Sequence, residues 1–150
     1  MDILLVCTGN TCRSSMAEGI FNQILKENDD DDVHVTSAGI SVYVSTSASE
    51  EAICAMEEMD IDISDHMSSQ ITEEDVENAD LVLVMTTGHK NILIDLFPDS
   101  ADKIFTLLEY AYRNEEDIAD PFGMDQDAYR QCAIEIKGAI EKVYDRIKNR

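Results

Sequence analysis

The chain has 150 residues, of which 44% are hydrophobic, and this size supports one domain with a complete core but not two. Its 32 acidic and 11 basic residues give a net charge of -21, which disfavours nucleic acid and anionic membrane surfaces as partners. The amino terminus has no basic region, and no apolar run approaches the roughly 18 residues that span a membrane, so we expect a cytoplasmic protein.

The cysteines are Cys7, Cys12, Cys54 and Cys132. They form no CxxC pair and no zinc-binding spacing with histidine, so we expect reduced thiols, no metal site and no disulfide framework. Cys132 lies in the apolar stripe of the last predicted helix, and we expect both Cys132 and Cys54 to be packed in the core. No cofactor is expected, and a monomer is favoured over an oligomer.

Strand and helix patterns alternate along the chain. We predict strands over residues 2–7, 33–38, 81–85 and 103–107, and helices over residues 14–28, 49–59, 88–97 and 125–149, with a further short helix opened by Thr72 and Asp75. Ser49 is the expected N-cap of the second helix. Pro98 is expected to end the helix predicted over residues 88–97. The clearest periodic element is the last helix, with an apolar stripe of Tyr129, Cys132, Ala133, Ile136, Ile140, Val143 and Ile147.

Three stretches are predicted to be irregular. The acidic run 29–32 is expected to be a solvated turn, and residues 113–123 contain no periodic pattern. Residues 40–48 form a loop rich in Ser and Thr, in which Tyr43 is either a pocket residue or a surface residue.

The alternation predicts an α/β fold, with a single domain over residues 1–150. We expect a four-stranded parallel sheet in the order 2-1-3-4, with helices on both faces. Ligands of such sheets bind at the carboxyl ends of the strands, next to the point where the strand order reverses. The loop that follows the first strand lies at this edge.

We call that loop, residues 7–14, the phosphate-binding loop, because its residue types suit an anion. A nucleophilic cysteine must be a thiolate, and a free cysteine is mostly protonated at neutral pH. The loop N-H groups, the following helix N-terminus and the Arg13 guanidinium all favour negative charge on Cys7. The same donors suit a phosphoryl group, which Arg13 can bind as a bidentate fork. Ser14 can donate to the sulfur, while Gly9 and Asn10 suit a tightly curled backbone.

Several further motifs accompany this loop. They are Met16-Ala17-Glu18, Thr36-Ser37-Ala38-Gly39, His66 before Gln70-Ile71-Thr72, the run from Asp80 to Met85, and Asp120-Pro121-Phe122-Gly123. Together with Cys7 to Ser14, they resemble the low-molecular-weight protein tyrosine phosphatase family in composition and order. The chain is most similar to the family's bacterial protein arginine phosphatase branch.

The resemblance implies a mechanism and a set of site residues. Cys7 would form a phosphocysteine intermediate, Arg13 would bind the phosphoryl oxygens, and Asp120 would act first as general acid and then as general base. Ser37 and His66 would belong, with Asn10, to a network that holds the loop in its strained conformation. The remaining phosphate-binding positions would be Thr8, Gly9, Asn10, Thr11, Cys12 and Ser14. The substrates would be phosphorylated proteins.

Thr11 and Phe122 are the positions that discriminate between substrates. Tyrosine-directed relatives tend to carry an apolar branched residue at the position of Thr11, and two adjacent aromatic residues at the position of Phe122. Threonine and a single phenylalanine resemble the arginine-directed form, so phosphoarginine is the first interpretation and phosphotyrosine the second. Arsenate reduction is a weaker alternative, because residues 86–110 contain none of the extra cysteines of such relatives. A non-catalytic phosphopeptide-binding module would also keep Arg13, but it would not need Cys7, Ser14 and Asp120 together.

Cys12 is either a packing residue or a resolving thiol. A reactive thiolate is easily oxidised, and a neighbouring thiol can trap it as a reversible disulfide before irreversible damage occurs. We hypothesise that Cys12 protects Cys7 in this way.

Overall fold

The computed structural model of the chain describes residues 1–149. The strands are β1 (Asp2–Cys7), β2 (His34–Gly39), β3 (Leu81–Val84) and β4 (Ile104–Thr106). The helices are α1 (Arg13–Glu27), α2 (Glu50–Glu57), α3 (Glu73–Asn78), α4 (Thr87–Leu96), α5 (Leu107–Tyr112) and α6 (Gln126–Lys148), and a 3-10 helix covers Pro98–Lys103. The predicted α/β fold with helices on both faces of the sheet is confirmed.

The four strands form one parallel sheet in the predicted order β2-β1-β3-β4. Cys7 pairs with Gly39 of β2, and Val6 pairs with Val84 of β3, so the carboxyl ends of the three strands are adjacent. Successive β1 side chains point to opposite faces, and Leu5 and Leu4 accordingly belong to separate core clusters. The chain crosses from one side of β1 to the other between β2 and β3, which places the loop after β1 at a switch point.

The helix α6 buries the predicted apolar stripe. Its buried residues are Tyr129, Cys132, Ala133, Ile136, Ala139, Ile140 and Val143, while Ile147 is partly buried. Asp125 caps the helix by accepting a hydrogen bond from Ala128 N at 3.0 Å. Within residues 1–149, no helix, α6 included, is both long and apolar enough to cross a lipid bilayer.

The helix α5 was not predicted from the sequence. It starts directly after β4, where Thr106 and Glu109 form a capping box, each side chain accepting from the other's backbone N-H. The Thr-x-x-Glu spacing is a helix-start signal. It is obscured because Leu107 continues the apolar run of the strand without an intervening loop.

The prediction that Cys54 is packed in the core is wrong. The helix α2 buries Ala52, Ala55 and Met56, and Cys54 lies on the opposite, exposed side of the helix. The corresponding prediction for Cys132 is confirmed, since Cys132 is buried in the main core cluster. Ser49 is the N-cap of α2, as predicted, and accepts a hydrogen bond from Ala52 N at 3.2 Å.

The acidic turn after α1 is only partly solvated. Asp29, Asp31 and Asp32 lie at the surface of the turn, but the Asp30 side chain is 4% exposed and lies 2.9 Å from Lys148 Nζ. Tyr144 donates to the same carboxylate at 2.9 Å. The hydrogen bonds from Lys148 and Tyr144 lower the pKa of Asp30 to about 2. This carboxylate therefore links the turn after α1 to the last turns of α6.

Packing of its buried stripe in the main core cluster, against α1, α2 and α5, rather than helix propensity, is expected to stabilise α6. Replacing Ile140, which is 0% exposed, with alanine removes buried methyl groups and leaves a cavity. We expect Ile140→Ala to lower the free energy of unfolding by about 2 to 5 kcal/mol in urea titrations. Ile134→Ala is the matched control, because Ile134 is 53% exposed on the same helix; its change is expected to stay within about 0.5 kcal/mol. Equal losses in the two variants would contradict the assignment of the buried face.

Candidate active site

The phosphate-binding loop turns sharply at Asn10, whose φ of 58° lies in the left-handed region. Asn10 is fully buried, and its side chain is held by the surrounding polar groups. The amide Nδ2 donates to Ser14 Oγ at 2.7 Å and to Ser37 Oγ at 2.9 Å, and Oδ1 accepts from Ser69 N at 3.0 Å. Asparagine tolerates this backbone conformation better than most residues. The structure therefore brings Ser37 to the loop, as the resemblance implied.

Cys7 ends β1 and is 3% exposed. Its sulfur accepts a hydrogen bond from Asn10 N at 3.3 Å and lies 3.0 Å from Ser14 Oγ. Because Ser14 Oγ accepts from the Asn10 amide, the hydroxyl proton of Ser14 is free to point at the sulfur. Asn10 N and Ser14 Oγ thus place two donors around Cys7 Sγ, where they can stabilise negative charge that develops on the sulfur.

Arg13 begins α1 and is 5% exposed. Its Nη1 donates to Ile118 O at 2.9 Å, and its Nη2 lies 3.5 Å from Asp120 Oδ2. Ile118 N in turn donates to Met85 O at the end of β3, at 3.0 Å. The loop that carries Asp120 is thereby tied both to Arg13 and to the sheet.

The cleft in front of Cys7 has a volume of about 220 Å³. It is lined by Cys7, Thr8, Gly9, Thr11, Cys12, Arg13, Asp120 and Phe122. The Asp120 side chain is 52% exposed, and the Phe122 residue is 73% exposed. The lining of a larger groove of about 400 Å³ between α1 and α6 includes neither a cysteine nor an arginine, so the smaller cleft is the candidate site.

Two glycines behave differently beside the loop. Gly39 permits close approach, because a Cβ there would lie 2.7 Å from Thr8 O and 2.6 Å from Val42 Cγ2. A Cβ at Gly9 would contact only Thr11 Oγ1, at 3.6 Å, and the positive φ belongs to Asn10 rather than to Gly9. Gly9 therefore leaves room in the cleft it lines, while Gly39 is required for packing.

His66 contacts the loop outside the lining of the cleft. Its Nε2 lies 2.7 Å from Asn10 O, and its Nδ1 lies 3.6 Å from Glu18 Oε2. The hydrogen bond with Glu18 raises the pKa of His66 above its ordinary value, against the effect of burial. A protonated ring can donate from both nitrogens at once, which suits a bridge between Glu18 and Asn10.

Cys12 lines the cleft and is 6% exposed. Its sulfur lies 3.3 Å from Tyr129 Oη and 3.5 Å from Ser49 Oγ. Burial and the hydrogen bond with Cys12 raise the pKa of Tyr129. All of the cysteines are free thiols, and burial raises the pKa of Cys132 to about 12. Tyr43 is 94% exposed and does not line the cleft, so the surface interpretation of this residue holds.

Two neighbours of the site were missed from the sequence. His89 Nε2 lies 2.8 Å from Thr8 Oγ1, and Asp117 Oδ1 accepts from Thr87 N at 2.8 Å and from Thr87 Oγ1 at 3.1 Å. Both contacts lie where α4 begins, just after β3. The sequence did carry a signal for them. Thr87 and His89 follow the carboxyl end of a strand that was predicted to lie beside β1, which is where ligands of such sheets bind.

Comparisons with known proteins agree with this geometry. The chain is 43% identical to a protein-arginine-phosphatase of Bacillus subtilis, over 99% of this chain and 97% of the relative. It superposes with a TM-score of 0.94 on the YwlE arginine phosphatase variant with a phosphorylated active-site serine, at 42% identity, covering 99% and 96% of the two chains. A low molecular weight protein tyrosine phosphatase from T. tengcongensis has a TM-score of 0.93 and 45% identity, covering 97% and 99%.

The sequence profile of one family matches residues 2–150 of the chain, with the description "Low molecular weight phosphotyrosine protein phosphatase". Relatives named as arginine phosphatases and relatives named as tyrosine phosphatases both belong among the similar proteins. The chain therefore belongs to the low molecular weight phosphotyrosine protein phosphatase family and is a cysteine-dependent phosphatase.

Proposed function

We propose that the protein hydrolyses phosphoarginine on proteins through a phosphocysteine intermediate at Cys7. The observation that carries this proposal is the wall of the cleft, which Thr11 lines together with Cys7 and in which Phe122 is the one aromatic lining residue within residues 1–149. The protein-arginine-phosphatases of Bacillus subtilis and Geobacillus stearothermophilus, 43% and 38% identical to this chain, support it.

In the first step, the Cys7 thiolate attacks the phosphorus atom, and the phosphorus–nitrogen bond of phosphoarginine breaks. Asp120, in its acid form, donates a proton to the departing guanidinium nitrogen. Arg13 and the loop N-H groups bind the three equatorial oxygens in transit. The products of this step are the free arginine side chain and phosphocysteine.

In the second step, a water molecule attacks the phosphorus atom of the phosphocysteine. Asp120, now a carboxylate, accepts a proton from this water, and the phosphorus–sulfur bond breaks. The sulfur leaves as a thiolate that is stabilised by Ser14 and Asn10 N. Inorganic phosphate is released, and Asp120 is protonated again for the next cycle.

The cleft wall favours a guanidinium over a phenol for two reasons. A phenol ring is best held between two aromatic surfaces, and Phe122 offers one. The Thr11 hydroxyl adds a hydrogen-bonding group that a branched apolar side chain would lack. Its oxygen can accept a hydrogen bond from the N-H groups of a phosphoramidate.

Phosphotyrosine is the second candidate substrate. The observation in its favour is the 45% identity with a structure named as a protein tyrosine phosphatase. A single aromatic residue at the cleft mouth can still stack on one face of a phenol ring. The two candidates share Cys7, Arg13 and Asp120, so the difference between them depends on Thr11 and Phe122.

The substrate comparison decides between these candidates. We expect kcat/KM for a phosphoarginine peptide to exceed that for a phosphotyrosine peptide of the same sequence, and Thr11→Ile to shift this ratio by about tenfold or more towards phosphotyrosine. The measurement is release of inorganic phosphate from both peptides by parent and variant. Cys7→Ser serves as the control and is expected to release none. Faster turnover of phosphotyrosine by the parent would overturn the phosphoarginine assignment.

Asp117 is expected to hold the general-acid loop against α4. Asp117→Ala removes both hydrogen bonds to Thr87 and is expected to lower kcat about three- to tenfold on a phosphopeptide, because Asp120 is then less well placed. Asp117→Asn keeps the accepting Oδ1 and is the matched control. The loss is expected to be smaller with para-nitrophenyl phosphate, whose leaving group needs less help from an acid. An equal loss with both substrates would contradict a role through Asp120.

We also propose that Cys12 protects Cys7 from irreversible oxidation by forming a reversible disulfide with it. Both thiols are free, and both line the same cleft. Inactivation by peroxide is expected to be reversed by a dithiol reductant in the parent and to be largely permanent in Cys12→Ser. Exposed Cys54 provides the control, and Cys54→Ser is expected to recover like the parent. Equal recovery of Cys12→Ser and the parent would show that Cys12 has a packing role only.

A further inference from the structure

His89 lies in the first turn of α4, against the phosphate-binding loop. The residue is 7% exposed, and its Nε2 is 2.8 Å from Thr8 Oγ1. Burial, followed by the nearby Arg13 guanidinium, lowers the pKa of His89 to about 4. The ring is therefore neutral at pH 7 and carries one N-H.

The second ring nitrogen shows where this proton lies. His89 Nδ1 is buried and has no hydrogen-bond partner within residues 1–149. A proton on Nδ1 would leave a buried donor unsatisfied, and buried N-H groups without acceptors are rare. A proton on Nε2 leaves only a lone pair without a partner and lets the ring donate to Thr8. We assign the Nε2-H form on this basis.

This assignment determines the direction of the Thr8 hydroxyl. If Thr8 Oγ1 accepts from His89, the hydroxyl proton of Thr8 is free for another acceptor. Thr8 is exposed and lines the cleft, so a substrate bound there can supply this acceptor. In the opposite arrangement, Thr8 would donate to the imidazole and present only lone pairs to an anionic ligand.

The acceptors that a substrate can offer are limited. A guanidinium has N-H donors and no acceptor, so the Thr8 proton cannot serve that part of phosphoarginine. Phosphoryl oxygens and main-chain carbonyl oxygens are acceptors, and both kinds belong to a phosphorylated protein. A donor placed at the loop therefore contributes to binding the phosphoryl group or the adjacent polypeptide.

We propose that His89 is a positioning residue, which orients the Thr8 hydroxyl as a hydrogen-bond donor to a phosphoryl or main-chain carbonyl oxygen of the substrate. This inference rests on the proposed phosphatase function of the cleft. It adds a substrate-binding contact that depends on α4, an element outside the phosphate-binding loop. His89 acts through Thr8 and has no direct contact with the reacting atoms.

The tautomer is tested without any substrate. Long-range proton–nitrogen correlation NMR of ¹⁵N-labelled protein at pH 7 is expected to show a protonated Nε2 and an unprotonated Nδ1 for His89. A protonated Nδ1 would overturn the proposal. Since this measurement needs no turnover, its result stands whether or not phosphoarginine is the substrate.

The hydroxyl contact is tested with Thr8→Val, which keeps the side-chain shape and removes the donor. We expect KM for a phosphopeptide to rise about three- to tenfold, with a smaller change in kcat, as for the loss of one hydrogen bond. Thr8→Ser retains the hydroxyl and is expected to restore most of the parent's KM. A KM for Thr8→Val within twofold of the parent's, together with unchanged phosphate binding, would overturn the contact.

Titration of each variant with inorganic phosphate identifies the acceptor. A rise in Kd for phosphate equal to the rise in KM indicates a phosphoryl oxygen, while an unchanged Kd with a raised KM indicates a main-chain carbonyl. Phosphate binding is followed by NMR, so it remains measurable if the parent prefers phosphotyrosine or hydrolyses neither peptide. Those two outcomes would count against the proposed function and leave the proposal for His89 to be decided by the tautomer and the Kd values.

His89→Phe tests the dependence of Thr8 on the ring. The variant is expected to raise KM by a factor similar to that of Thr8→Val, and the double variant is expected to be no worse than Thr8→Val alone. Independent, multiplying effects would mean that His89 acts by some route other than Thr8 and would overturn the positioning role. Should His89→Phe not fold, Thr8→Val and the NMR measurement of the tautomer still decide whether His89 orients the Thr8 hydroxyl.

Discussion

The left-handed backbone of Asn10 is the constraint on which the site depends. This conformation costs an ordinary residue roughly 1 to 3 kcal/mol, and the surrounding structure has to offset it. Here the buried side chain donates to Ser14 and Ser37 and accepts from Ser69 N, so every polar atom of the amide is used. The turn that results directs Asn10 N at Cys7 Sγ and leaves the Ser14 proton for the same sulfur. The backbone conformation of one residue thus aligns the donors around Cys7 Sγ.

The chain binds an anion in spite of a net charge of -21. Arg13 is the one basic side chain lining the cleft within residues 1–149, and it is almost fully buried. Exposed carboxylates more than about 10 Å away are largely screened by salt, whereas a buried guanidinium and fixed N-H groups act at close range with little screening. The local field of the loop therefore decides binding, and the acidic surface stays compatible with a phosphorylated substrate.

Patterns along the chain were sufficient to predict most of the fold. The strand β1 matches its predicted bounds, and the apolar stripe of α6 is buried as expected, since both depend on periodicity within one segment. Two features of the fold were predicted wrongly or missed, because a local pattern was ambiguous. The helix α5 follows β4 without a loop, so the apolar run at Leu107 concealed its start. Cys54 is a residue type that usually packs inside, but its position on α2 faces solvent.

The sequence by itself identified the residues proposed to react. Cys7 and Arg13 lie in one short loop, so their proximity follows from chain connectivity alone, and the family resemblance of the Asp-Pro motif pointed to Asp120. Only the tertiary structure decided how these groups are held. Asp120 reaches Arg13 because the chain returns past the end of β3, and His89 reaches Thr8 because β3 pairs beside β1. These contacts join residues 107 and 81 positions apart, and their geometry depends on strand order and helix packing, which short-range patterns do not encode.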